Sequence, residues 1–472
     1  MPERQLATKS TAGGLAQRLR AARARTLAFA ADLSGEQLLG PRLAIVNPPL
    51  WEFAHLAWFQ EYWCLRYRER GEVAPSLIKD ADALYNSAIA SHDTRWDLPL
   101  LPFDAVLHYL SQVLERVLEL LAREPGDPAL RYFAELAAAH EEMHCEAFTY
   151  TRQTLGYPAP KLAGRNPVAV AGGGRSGDVT VAGGEFLLGA RPDGGFAFDN
   201  EKWAHRVQLA PFAIARAAVT NSEFAAFVDA NGYQRRELWC AAGWRWRDSA
   251  GADAPVYWIK RQGQWLQRVY HRLEPLPPQA AIIHVNWYEA DAWCRWAGRR
   301  LPSEAEWEQA AAATPGHPAG EESKRKYPWG ENAPDAAHAN MFPWARSVAD
   351  VAACPDGDSG WGCRQMMGNV WEWTADWFHP YPGYVRDPYQ EYSGPWFGDH
   401  RVLRGGCYAT SASLLRNTWR NFYTPDRRDV FAGFRTCTPA SREQGSRLRD
   451  ATARESGAAP SNAGVASVSG VT

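Results

Sequence analysis

Residues 157–178, YPAPKLAGRNPVAVAGGGRSGD, are rich in Pro and Gly and carry no hydrophobic period, and the chain is patterned differently on either side of them. Such a stretch has too little apolar surface to join a core, so it reads as a linker between two units. From about residue 14 to 156 the period is helical. Leu15, Leu19, Ala22 and Thr26 fall on one face, and Val106, Leu110, Val113, Val117 and Leu121 on another, until EPGDP breaks the pattern. In that breaker Asp127 can cap a helix whose first position is Pro128, where a missing N–H costs nothing. The helix starting near Ala129 carries Phe133, Leu136, Ala137, His140, His144 and Ala147 along one stripe, and another spans roughly Leu50 to Arg70. These make an all-α unit, a four-helix bundle.

Beyond the linker, short alternating segments (VTVAGGEFLLG, APFAIARAAV) and two helical pieces (NSEFAAFVDA, WYEADAWCRWAG) are set in long loops. This predicts an α+β unit over 179–438 with limited regular structure. Most of the 22 Trp lie beyond residue 200, where large rigid rings can fill the space between irregular loops. The tail 441–472 has almost no large apolar residue and is expected to be disordered.

Charge narrows the function. Lys+Arg 51 against Asp+Glu 53 leaves no basic footprint for nucleic acid. No apolar run approaches the roughly 20 residues that span a bilayer, and MPERQLATKS lacks the apolar core of a signal peptide. A small-molecule partner and a cytoplasmic location are expected, with no membrane. The eight cysteines are scattered without a C-x-x-C pair, as free thiols in a reducing compartment would be.

The strongest local signal is His140-Glu-Glu-Met-His144-Cys-Glu146. Residues four apart return to one helix face, so both imidazoles can chelate one ion. Two buried histidines are read as well as core residues held by hydrogen bonds, and a third ligand separates the readings. His55, in WEFAHLAWFQEYW, supplies it: a polar ring on an aromatic inner face needs a partner. Three neutral imidazoles suit a divalent ion with open positions. Glu146 is read either as orienting a ligand or as part of a solvated helix face.

His55 with the downstream H-x-x-x-H-x-E resembles the DinB-type bundle of the EgtB sulfoxide synthases, which act on hercynine in making ergothioneine. HVNWYEADAWCRWAGRRLPSEAEWEQAA, YPWGE, MGNVWEWTADW, RVLRGGCYAT and FAGFRTC resemble the FGE-sulfatase (formylglycine-generating-enzyme-like) domain, whose fold is related to C-type lectins. The match runs from about residue 14 to 438. It implies an oxidoreductase that uses Fe(2+) and O2 to form a carbon–chalcogen bond at imidazole C2 of hercynine. It also implies that Tyr389, in DPYQEYSG, is the catalytic tyrosine and that Tyr392, Asn421 and Phe422 line the substrate pocket.

The chain departs from that pattern where the sulfur donor would be held. Tyr423 stands in place of a carboxylate, Met143 in place of a common Gln, and Phe422 in place of a usual Trp. LYNSAIASHDTRWDLP offers only Arg95 instead of an arginine cluster. A site without charged partners selects against a charged donor. The pattern is most similar to the SenA branch, the selenoneine synthases, which join a selenosugar to hercynine. The alternatives are an EgtB enzyme using cysteine or glutamyl-cysteine, a metal-dependent thiol S-transferase built on the bundle alone, and a binding module with a degenerate site. Trp371 and Trp373 read as core, and Gly405 and Gly406 as a tight backbone approach. Some relatives bind Ca(2+) nearby, with Glu372 the candidate here. Cys407 has no second cysteine shortly after it, which disfavours copper.

Overall fold

The computed structural model describes residues 12–67, 73–162, 175–316 and 324–439. The expected tail and the middle of the linker lie outside them. The helices are α1 (Ala12–Ala30), α2 (Pro49–Glu61), α3 (Ala81–Tyr85), α4 (Phe103–Arg123), α5 (Pro128–Leu155), α6 (Asn221–Asp229), α7 (Ala241–Ala250), α8 (Trp287–Trp296) and α9 (Glu304–Ala312).

In the bundle α1 packs on α5 and α2 on α4. Leu15, Leu19, Val106, Leu110, Val113, Val117 and Leu121 are all buried, so the 3.6 period found the core face. Asp127 caps α5, its carboxylate accepting from the backbone N–H groups of Ala129 and Leu130. The expected α2 does not run regularly to Arg70. It ends at Glu61 and continues as a π turn, Tyr62–Arg66. The wider turn buries Trp63 and Arg66, and the Arg66 guanidinium meets both Asp82 oxygens at 2.8 and 2.7 Å. Among the described residues no helix is long and apolar enough to cross a membrane.

The strands are β1 (Asp178–Val181), β2 (Gly184–Leu188), β3 (His205–Leu209), β4 (Phe212–Ala215), β5 (Trp258–Arg261), β6 (Gln264–Val269), β7 (Arg272–Pro275), β8 (Trp371–Trp377), β9 (Arg401–Arg404), β10 (Asn421–Tyr423) and β11 (Ala432–Gly433). They form small sheets: β1–β4, β2–β3, β5–β6–β7, and β10–β9–β8–β11. Among the described strand pairs only β11–β8 is parallel. Long loops join them, and rings fill the gaps. Trp307, Trp371 and Trp373 are fully buried. Each removes roughly 200 Å² from water, about 5 kcal/mol at ~25 cal/mol/Å² before entropy is counted.

Two buried ion clusters tie the loops together. Glu304 accepts from Arg404 at 2.7 Å and from Arg420 at 2.7 and 3.0 Å. Glu372 accepts from Arg435 at 2.6 and 2.7 Å and from the Trp307 indole at 2.7 Å. This corrects the reading of Glu372 as a calcium ligand. Both carboxylate oxygens are spent on donors, and the paired guanidinium already balances the charge. Gly405 has φ +95° and a Cβ there would lie 2.7 Å from the Met366 carbonyl, the tight approach expected of it.

Candidate metal centre and substrate pocket

His55 projects from α2, and His140 and His144 from α5. One nitrogen from each falls within 4.8 Å of the others. The His140 Nε2 lies 3.3 Å from His55 Nε2 and 3.2 Å from His144 Nε2. Each ring is held by a different device. His55 Nδ1 donates to the Tyr85 carbonyl at 2.7 Å, and the His55 ring stacks on Trp51 at 4.9 Å. His144 Nδ1 faces a Glu52 oxygen at 2.5 Å. The His140 ring lies flat on Phe59, 3.6 Å between centroids.

Burial, and next the neighbouring His144, depress the His55 pKa to about 3; burial and both neighbouring imidazoles hold His140 well below its usual value. The His55 and His140 rings are therefore neutral. With Nδ1 of His55 and His144 each committed to an acceptor, their Nε2 atoms present lone pairs to one point. Nitrogens 3.2 and 3.3 Å apart could be held by one divalent ion. The three residues fit a metal.

A cavity of about 580 Å³ opens beside them. It is lined by His140 and His144, with His55 behind them, and by each catalytic or substrate-binding candidate named from the sequence: Tyr389, Tyr392, Asn421, Phe422, Tyr423, Met143 and Arg95. Tyr389 stands edge-on to His140, 6.2 Å between centroids, and packs against Phe59 and Trp63. Burial raises its pKa, so the phenol stays protonated. The Tyr392 hydroxyl donates to Met143 Sδ at 3.7 Å, and its ring stacks on Phe198 at 4.2 Å. Asn421, Phe422 and Tyr423 make up β10, with Phe422 stacked on Phe378 at 4.1 Å. The buried Arg95 lies 3.8 Å over the Trp51 ring and donates to Asn47 Oδ1 at 2.6 Å and to the Ala90 carbonyl. Burial lowers its pKa to about 10.

Neither reading of Glu146 holds. It is buried, and it accepts from the Trp371 indole at 2.7 Å and from the Thr410 hydroxyl, so it joins the bundle to the second unit. The carboxylate that meets a histidine of the cluster is Glu52, which the sequence reading missed. Its signal was available, as an acidic residue on the otherwise apolar segment LWEFAHLAWF. Phe59, Tyr85, Tyr150 and Trp419 also belong to the site and carried no signal beyond hydrophobicity.

Residues 18–148 match the DinB superfamily, and residues 170–440 match the Sulfatase-modifying factor enzyme 1-like domain. A hercynine oxygenase of Mycolicibacterium thermoresistibile is 37% identical over 437 residues, 91% of this chain and 95% of that protein. The chain belongs to the EgtB-like hercynine oxygenase family. The hercynine oxygenase of Mycobacterium tuberculosis is likewise 37% identical, over 89% of this chain and 97% of its own length. The formylglycine-generating enzyme of Streptomyces coelicolor shares 34% identity over 61% of this chain and 98% of that one. In this member of the hercynine oxygenase family all eight cysteines are free. Cys407 is buried against Thr410, whose hydroxyl lies 3.4 Å from the sulfur.

Proposed function

We propose that the protein is an iron(II)- and O2-dependent oxidoreductase that joins a chalcogen to imidazole C2 of hercynine, with a selenosugar as the favoured donor. The observation that carries this reading is the convergence of His55, His140 and His144 at one end of an aromatic-walled cavity that Tyr389 also lines. A ferrous ion held by those histidines would supply the one-electron chemistry that O2 requires, with open positions for reactants. The overall step balances as RXH plus imidazole C2–H plus O2, giving the C2–X(O)–R product and one water.

The chain's own groups support the assignment of roles. Hercynine carries a quaternary ammonium, and the rings of Tyr150, Tyr392, Trp419, Phe422 and Tyr423 line the cavity. Such faces attract a desolvated cation by about 0.5–2 kcal/mol. Tyr389 is protonated, and among the described residues its hydroxyl has no protein partner, so it is free to donate a proton or hydrogen atom at the reacting oxygen. The bundle, residues 14–156, and the unit over 179–438 both supply walls of the cavity, which would limit water around the reacting atoms. The free cysteines suit a reducing cytoplasm.

The donor reading rests on charge. Among the described residues Arg95 is the only Lys or Arg lining the cavity, and part of its donor set is spent on Ala90 and Asn47. Glutamyl-cysteine brings two carboxylates and an ammonium, and a missing charged hydrogen bond costs roughly 1.5–3 kcal/mol. Two such losses cut efficiency by a factor on the order of a hundred or more. A neutral selenosugar or thiosugar loses nothing, and selenium is the softer nucleophile. Competition between donors in one vessel reads the ratio of efficiencies. A selenosugar should outpace glutamyl-cysteine and cysteine; either thiol winning would instead support the EgtB reading. A thiol S-transferase of the bundle alone would leave Tyr389 without a task.

A further inference from the structure

Three devices orient the three histidines, and only one of them is charged. The Tyr85 carbonyl holds His55, the face of Phe59 holds His140, and the Glu52 carboxylate meets His144 Nδ1 at 2.5 Å. His144 is the ring that most needs holding, because its side chain is 20% exposed at the cavity wall while His55 and His140 are buried. Glu52 itself is 2% exposed, and among the described residues His144 is the one hydrogen-bond partner of its carboxylate.

A buried carboxyl group such as that of Glu52, with a single hydrogen-bond partner, recovers little of its desolvation cost from that partner alone. Its position in the first turn of α2, near the partial positive charge of a helix N-terminus, and the nearby Arg95 offset only part of it. A cation on the far nitrogen of the same ring would complete the balance. Glu61, the other buried carboxylate of α2, shows the contrast. It is satisfied by Tyr109 at 2.5 Å, Ser76 at 2.6 Å and the Leu77 N–H at 2.7 Å, none of them in the histidine cluster.

We infer that Glu52 is a positioning residue for the metal centre: it fixes the Nδ1–H tautomer of His144, aims its Nε2 at the ion and adds negative charge behind the ligand. One helix, α2, thereby supplies a ligand through His55 and orients a second ligand on α5 through Glu52. This rests on the reading of the histidines as metal ligands under the proposed function.

The test is anaerobic titration of the full-length, metal-free protein with Fe2+ against a competing chelator, and with Co2+ followed by its visible absorption. Glu52→Gln keeps the shape and removes the charge, and Glu61→Gln is the control for a change in the same helix. Glu52→Gln is expected to weaken metal binding about 10–100-fold and shift the Co2+ bands, while Glu61→Gln keeps wild-type affinity and bands. Wild-type affinity and unchanged bands in Glu52→Gln would overturn the positioning role. A wild-type protein that takes up neither ion would overturn the metal centre itself, and this inference with it.

Discussion

His55, His140 and His284 are all buried imidazoles, and burial lowers the pKa of each, yet only two of them meet other histidines. His284 packs between Tyr257 and Phe431 at 4.7 and 5.3 Å, with its pKa pushed down to about 3. A single histidine in a sequence does not announce which kind it is; the i, i+4 pair and an isolated ring on an aromatic face did. Glu52 and Glu146 were harder, because a carboxylate's role is set by what stands opposite it, and that partner comes from another element. At this scale His55→Ala, His140→Ala and His144→Ala should each lose bound iron, since two imidazoles compete poorly with water; metal analysis of purified variants checks it. Tyr389→Phe removes one hydroxyl, so substrates should still bind while C2 substitution falls and O2 consumption is diverted, as product mass and oxygen uptake would show. His284 has a folded pKa of about 3 against an unfolded 6.5, so the unfolded state takes up the proton first. Its contribution to stability is lost as pH falls from about 6.5 toward 3. His284→Asn, which tolerates the φ of +61° there, should flatten that acid side of the melting curve against pH.

Elements with a strong period were legible. The stripes of α4 and α5 and the Asp127 cap were readable because local preference and tertiary burial agree there. The π turn at 62–66 was not, because the aromatic run reads as uninterrupted helix and the deciding bond is the distant pair Arg66–Asp82. The hairpins β5–β6–β7 were also missed. Their turn at Gln262–Gly263 has two positive φ values, the geometry of a two-residue hairpin, but Gln-Gly is a weaker turn signal than Asn-Gly. In α9, Ser303 and Glu306 form a capping box that the sequence displayed and the reading did not use. The strand β8 gives the sharpest energetic expectation. Glu372→Ala leaves the fully buried Arg435 without its carboxylate, and should cost about 3–5 kcal/mol of stability in urea unfolding. Added calcium should not raise the melting temperature through this residue.

At the scale of the whole molecule the site is a junction. The bundle contributes the histidines, and the second unit contributes Tyr389, Tyr392 and β10 to the same cavity. Glu146, two residues beyond His144, bonds Trp371 and Thr410 across that junction, so α5 and the second unit are held in register. Family membership could be read from motifs in their order. The donor could not, because it depends on how much charge an aromatic cavity retains. The most direct test of the central claim is an anaerobic mixture of protein, Fe2+, a panel of donors and hercynine deuterated at imidazole C2, opened to O2 and followed by mass spectrometry. Loss of the C2 deuterium with formation of a C2–chalcogen product, chiefly from the selenosugar and absent in His140→Ala, is the expected result. Retention of the C2 deuterium with every donor, by a protein that holds its iron, would contradict it.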